Sequence, residues 1–165
     1  MALSVAGLSV GLIGQPVMAA DFLPPDQAFQ VSVEPMPQRG VLAHFTLAPG
    51  VYLYREQFKA KLVGPGGTEV PVTWKLPAGE VKHDPTFDKD VEVYHHDVDA
   101  TLDWANAPAG EAELTVTYQG CADAGLCYPP QKQHYSLTVD ASGHVQALTA
   151  AGQAGTGGAR RRRST

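Results

Sequence analysis

VLAHFTLAPGVYLY, residues Val41 to Tyr54, is apolar-rich from Val41 to Leu47, breaks at Pro49-Gly50 and resumes as Val51 to Tyr54. Two β-prone runs around a Pro-Gly turn predict two strands joined as a hairpin. The pattern continues outward in both directions. Strands are expected at Phe29 to Val33, Phe58 to Val63, Val70 to Leu76, Val91 to His95, Val98 to Trp104, Glu113 to Tyr118 and His134 to Val139. Turns are expected at Gly64-Pro65-Gly66-Gly67 and Pro108-Ala109-Gly110. Outside the first twenty residues no window has convincing helical periodicity, apart from one short turn at Pro24 to Ala28. Many short strands with regular punctuation predict an all-β fold, an immunoglobulin-like antiparallel β-sandwich.

The chain has 165 residues and 44% hydrophobic content, enough for one domain with its own core. Residues 1–20, MALSVAGLSVGLIGQPVMAA, are uncharged, apolar from Ala2 to Ile13, broken at Gly14 and Pro16, and end in small residues. That layout predicts a secretory signal peptide with an incomplete n-region, since no Lys or Arg precedes Arg39. The domain proper is expected at 21–146. Residues 147–165 read as a disordered tail or linker stump ending in Arg160, Arg161, Arg162 and Arg163. Without those arginines 8 basic residues face 17 acidic ones, a balance of −9. Such a body argues against a nucleic-acid surface.

The only two cysteines lie in YQGCADAGLCYPP, Tyr118 to Pro130, as Cys121-x5-Cys127. A disulfide can persist in an exported domain, and most such bonds are structural staples. A staple closing so short a ring would remove only about 2.4 kcal/mol of unfolded-state entropy. The alternative is a redox pair on a short Gly-containing loop between C-terminal strands, at a domain edge and stiffened by Pro129 and Pro130. Asp123 disfavours a thiolate there, and no Lys or Arg lies between Gly120 and Pro130. Zinc would need more ligands in a recognisable spacing, and a blue-copper site would need a downstream Met, whereas Met1, Met18 and Met36 all precede Cys127. His95 and His96, on opposite faces of a strand, would not share a metal. No metal and no cofactor is expected.

The cysteine segment closely resembles the N-terminal periplasmic domain of the bacterial thiol:disulfide interchange family DsbD. FLPPDQAF (Phe22 to Phe29), VYLYREQ (Val51 to Gln57) and HDPTFDKDVEVY (His83 to Tyr94) resemble further segments of that domain in the same order. The resemblance implies a protein-disulfide reductase domain, one part of a larger enzyme, whose cysteines relay electrons. A thioredoxin-like C-terminal domain, of the same or a partner protein, would supply them from a membrane electron carrier. Periplasmic disulfide isomerases and thioredoxin-like proteins of cytochrome c maturation would receive them. Cys127 would form the mixed disulfides and Cys121 would resolve them.

Phe87 corresponds to the aromatic of a cap loop over the disulfide. The acids that precede it in the family are replaced by Pro85 and Thr86, with Asp84 one step earlier. Tyr52 and Tyr54 share one strand face, which can fill the core or flank the active site. The implied location is periplasmic, tethered to the inner membrane through a membrane domain absent from these residues, or free-standing beside a membrane partner. The rival reading is a passive β-sandwich binding module with a structural disulfide; a secreted copper- or zinc-binding sandwich is a third.

Overall fold

The computed structural model describes residues 21–107 and 109–151. After a single helical turn, Pro25–Ala28, the strands run β1 Phe29–Pro35, β2 Val41–Leu47, β3 Val51–Tyr54, β4 Lys59–Val63, β5 Glu69–Val70, β6 Thr73–Lys75 and β7 Glu80–Asp84. They continue as β8 Lys89–Tyr94, β9 Val98–Asp103, β10 Gly110–Tyr118, β11 Gly120–Ala122, β12 Gln131–Val139 and β13 Val145–Ala150. The fold is an immunoglobulin-like sandwich, as the strand spacing predicts. One sheet is ordered β1-β2-β9-β6 and the facing sheet β13-β12-β10-β4-β5. A third, small sheet is ordered β11-β3-β8-β7.

Alternation places the core. Val41, Ala43 and Phe45 of β2 are fully buried, as are Leu114 and Val116 of β10 and Leu62 of β4, while the residues between them are more exposed. Phe45 stands edge-on to Phe58 at 4.9 Å and to Tyr118 at 5.4 Å between ring centroids, a geometry aromatic quadrupoles favour.

The structure corrects five readings of the sequence. Val41–Leu47 and Val51–Tyr54 do not form a hairpin: β2 pairs with β1 and β9, and β3 with β11 and β8. Pro49-Gly50 instead carries the chain from the main sandwich into the small sheet. The run Val70 to Leu76 is split into β5 and β6, in different sheets, around Pro71, which has no N–H to extend a ladder. His95 and His96 follow β8 in a bend rather than continuing the strand. Cys121 lies on strand β11, not on a loop.

The expected tail from residue 147 begins inside a strand. Its first residues belong to β13, paired with β12 through Leu137↔Leu148 and Tyr135↔Ala150. Leu148 packs on the core, so this segment does bury apolar surface. The proposed signal peptide and the Arg160 to Arg163 run lie outside the described residues. No helix of the described residues is long and apolar enough to cross a membrane.

Arg55, at the end of VYLYR, ties the small sheet together. Its Nε donates to the Tyr94 hydroxyl at 3.1 Å and pairs with Glu92 at 3.4 Å, and the Tyr94 hydroxyl donates to the Pro77 carbonyl at 2.6 Å. Gly120 allows the closest approach: a Cβ there would stand 2.2 Å from the Tyr52 carbonyl oxygen and 2.6 Å from Phe29 Cζ. A backbone oxygen cannot swing away as a flexible side chain can, so Gly120→Ala is expected to cost about 1–3 kcal/mol. The check is the urea unfolding midpoint of the oxidised chain, which should fall with little change in slope.

Candidate functional site

Cys121 and Cys127 are joined in a disulfide. β11 presents Cys121 directly opposite Tyr52 of β3, and an isolated antiparallel bridge links Cys121 to Cys127. Between them the chain turns back through Gly125, whose φ of 106° suits glycine. The turn is held by N–H groups of Ala122 to the Leu126 carbonyl (2.6 Å), Gly125 to the Ala122 carbonyl (2.9 Å) and Asp123 to the Gly50 carbonyl (2.9 Å). Its exit is anchored by Tyr128, whose hydroxyl donates to the Leu23 carbonyl at 2.8 Å and whose ring is edge-on to Phe29 at 5.3 Å. The two sulfur-bearing residues differ sharply in access: Cys121 is 1% exposed, whereas Cys127 is exposed.

Alternation along β3 sorts its side chains into two cores. Val51 and Leu53 join the main core, whereas Tyr52 and Tyr54 form a second cluster with Cys121, Val91 and Val93. The structure thus places both tyrosines beside the disulfide. The Tyr54 oxygen lies 3.3 Å from Cys121 Sγ and its hydroxyl donates to Asp84 Oδ2 at 2.5 Å. With that proton committed, the Tyr52 hydroxyl, 3.5 Å away, is the donor of the Tyr52–Tyr54 contact. The Lys82 ammonium sits 4.0 Å above the Tyr52 ring centroid, a cation–π contact.

Asp84 ends β7 and is the buried charged residue of the described chain, at 1% exposure. Its Oδ1 accepts the backbone N–H groups of Thr86 (2.7 Å) and Phe87 (3.3 Å), so it folds the turn that carries Phe87 while gripping Tyr54 with its other oxygen. Burial alone would raise this carboxyl. The Tyr54 hydroxyl and the two N–H groups outweigh burial and hold it below its ordinary value. Burial, then the bond to Asp84, pushes the Tyr54 hydroxyl far above the usual tyrosine range, so Tyr54 stays a donor at neutral pH. Phe87 is half exposed and edge-on to Tyr54 at 5.9 Å.

His95 is a neighbour the cysteine segment does not reveal. Its Nε2 lies 3.2 Å from Asp123 Oδ1 and its Nδ1 3.3 Å from Glu80 Oε2. Asp123 is thus not the unopposed acid that the local sequence shows. Among the described residues no group of three or more His, Cys, Asp or Glu side chains is arranged to hold a metal.

Fold and site together define an immunoglobulin-like domain built around a disulfide with one buried and one accessible half. A family model described as "Thiol:disulfide interchange protein DsbD, N-terminal" matches residues 19–139. The chain belongs to this family of DsbD N-terminal domains. A curated relative from Ralstonia nicotianae, named thiol:disulfide interchange protein DsbD, is 40% identical over 131 residues, covering 79% of this chain and 21% of the relative. DsbD 1 of Pseudomonas aeruginosa is 42% identical over 132 residues, covering 80% of this chain and 21% of that protein. The chain therefore spans about a fifth of those relatives' length.

Two solved structures resemble the fold. The reduced N-terminal domain of Neisseria meningitidis DsbD has a TM-score of 0.63 and 29% identity, covering 78% of this chain and 94% of that one. The same domain in complex with the PilB N-terminal domain has a TM-score of 0.59 and 32% identity, covering 72% and 88%.

Asp84 gives a signed pH prediction. Its folded-state carboxyl lies below its unfolded value of about 3.9, so its stabilisation is present above that pH and is lost as pH falls through the lower folded value. The thermal midpoint of the wild type should exceed that of Asp84→Asn at pH 5 and above. The gap should narrow as pH falls from about 4 to about 2.

Proposed function

We propose that this domain is an exported dithiol/disulfide relay. It accepts electrons from a thioredoxin-like domain fed by a membrane carrier. It then reduces disulfides of periplasmic thiol proteins such as disulfide isomerases and the thioredoxin-like proteins of cytochrome c maturation. The observation that carries the reading is the asymmetry of the disulfide: Cys127 is exposed while Cys121 is buried against Tyr54. An incoming thiolate must approach along the S–S axis, and of the two cysteines only Cys127 is exposed. The Neisseria complex of a related domain with PilB supports a partner docking onto this class of domain.

In the reducing direction, the Cys127 thiolate attacks a partner disulfide, forming a Cys127–partner bond and releasing the partner's other sulfur as a thiolate. Cys121 then attacks Cys127 Sγ, restoring the internal disulfide and releasing the second partner sulfur. The partner gains two electrons and the domain loses two. In the reverse half of the cycle, attack on Cys127 expels Cys121 as the leaving thiolate, beside the Tyr54 oxygen that lies 3.3 Å from Cys121 Sγ. Phe87 guards the oxidised form by resting on Tyr54 at the end of the small sheet. The bond that the Phe87 N–H donates to Asp84 Oδ1 holds the turn in that position.

Cys121→Ala is expected to accumulate mixed disulfides on Cys127 with periplasmic thioredoxin-like proteins, resolved on non-reducing gels. Cys127→Ala should form none. Absence of adducts with the first variant would refute the relay, and a reduction potential below about −300 mV would identify a structural staple instead. Phe87→Ala should make the oxidised chain react about two- to tenfold faster with a small thiol, the range set by one aromatic contact of about 0.5–1.5 kcal/mol.

A further inference from the structure

The segment between the two cysteines is tied to the rest of the domain by a side chain that the relay chemistry does not use. His95, in the bend after β8, is wedged between two acids and is less exposed than either, its side chain at 25% against 68% for Glu80 and 48% for Asp123. Its ring also lies 5.3 Å from that of Tyr52, the residue paired with Cys121. Glu80 opens β7, the strand that ends in Asp84 and the Phe87 turn. Asp123 stands inside the Cys121–Cys127 ring. One imidazole thus bridges both segments that form the disulfide's surroundings.

We propose that His95 is a positioning residue for the disulfide, clamping the cysteine loop in its closed shape when the imidazole carries two protons. A neutral imidazole has one N–H and can donate to Glu80 or to Asp123. Its other nitrogen then turns a lone pair toward a carboxylate. The imidazolium donates to both. The other groups around it do not substitute: Tyr52 offers a ring face, Lys82 is held over that ring, and His96 and Asp97 are the residues that follow it in the chain.

When the S–S bond opens, the loop is held by its backbone bonds and by Asp123. A clamp fitted to the closed loop favours the disulfide over the dithiol. During exchange it keeps Cys121 aimed at Cys127, so the resolving step is faster where the imidazole is charged. This last consequence rests on the relay reading. The preference for the closed form does not.

The test is the equilibrium of the whole chain with glutathione, in which the disulfide and two glutathione thiols give the dithiol and one glutathione disulfide. It is read from about pH 5.5 to about pH 8, the span in which imidazoles change charge. Relative to wild type at each pH, His95→Ala and Asp123→Ala should each shift the equilibrium toward the dithiol by about two- to fivefold at the acid end, the size of one partly exposed charged contact. The shifts should shrink toward pH 8, and the double variant should shift no further than either single one. Equilibria matching wild type throughout would overturn the clamp. Shifts of equal size at both ends of the pH range would also overturn it, because they denote a structural effect independent of charge. Asp123 is on an exposed turn, so its variant keeps the test decisive even where His95→Ala fails to fold. Either failure leaves the relay standing, since the relay is decided by adducts on Cys127.

Discussion

The pairing of β11 with β3 sets the geometry on which the site depends. It is only three residues long, Gly120↔Leu53, Cys121↔Tyr52 and Ala122↔Val51. It works because Gly120 lets the backbone press against the Tyr52 carbonyl and the Phe29 ring. Contact that close fixes Cys121 in register with the tyrosine face of β3, and Val51 and Leu53 lock the other face into the main core. The large sandwich therefore acts as a rigid mount. Position is transmitted to the sulfur through backbone pairing rather than through long side chains.

Asp84 makes a second connection, between the turn that carries Phe87 and the hydroxyl beside Cys121. A carboxylate buried at 1% exposure is costly unless its acceptor sites are filled, and here two N–H groups and one O–H fill them. Directly before Phe87 stand Pro85 and Thr86, neither of which carries a charge. The chain nevertheless brings an acid to the disulfide's surroundings from the end of β7, through Tyr54.

The sandwich was legible because β2, β9 and β10 bury alternate residues in a solid core, and turn residues separate most elements. Strands with weak or different signals were not. β7 is an edge strand of polar residues with Val81 exposed, β11 has three residues including a glycine, and β13 looks like a linker until β12 supplies a ladder. The cysteines were visible as a pair, and YLYR singled out the tyrosines. The grip of Asp84 on Tyr54 spans thirty residues, and His95 reaches Asp123 across twenty-eight. Local pattern carries no trace of such contacts, which exist only once three strands have assembled.

The shortness of the disulfide ring bears on endurance. With the cysteines six positions apart, opening the bond releases little chain entropy in the unfolded state, and the sandwich core lies elsewhere, in residues such as Phe45, Leu114 and Leu137. Breaking a staple between distant strands would threaten the whole domain each time. Here opening the covalent bond would remove only the small entropic contribution of a short ring, so its cost would fall on a few loop residues and not on the architecture.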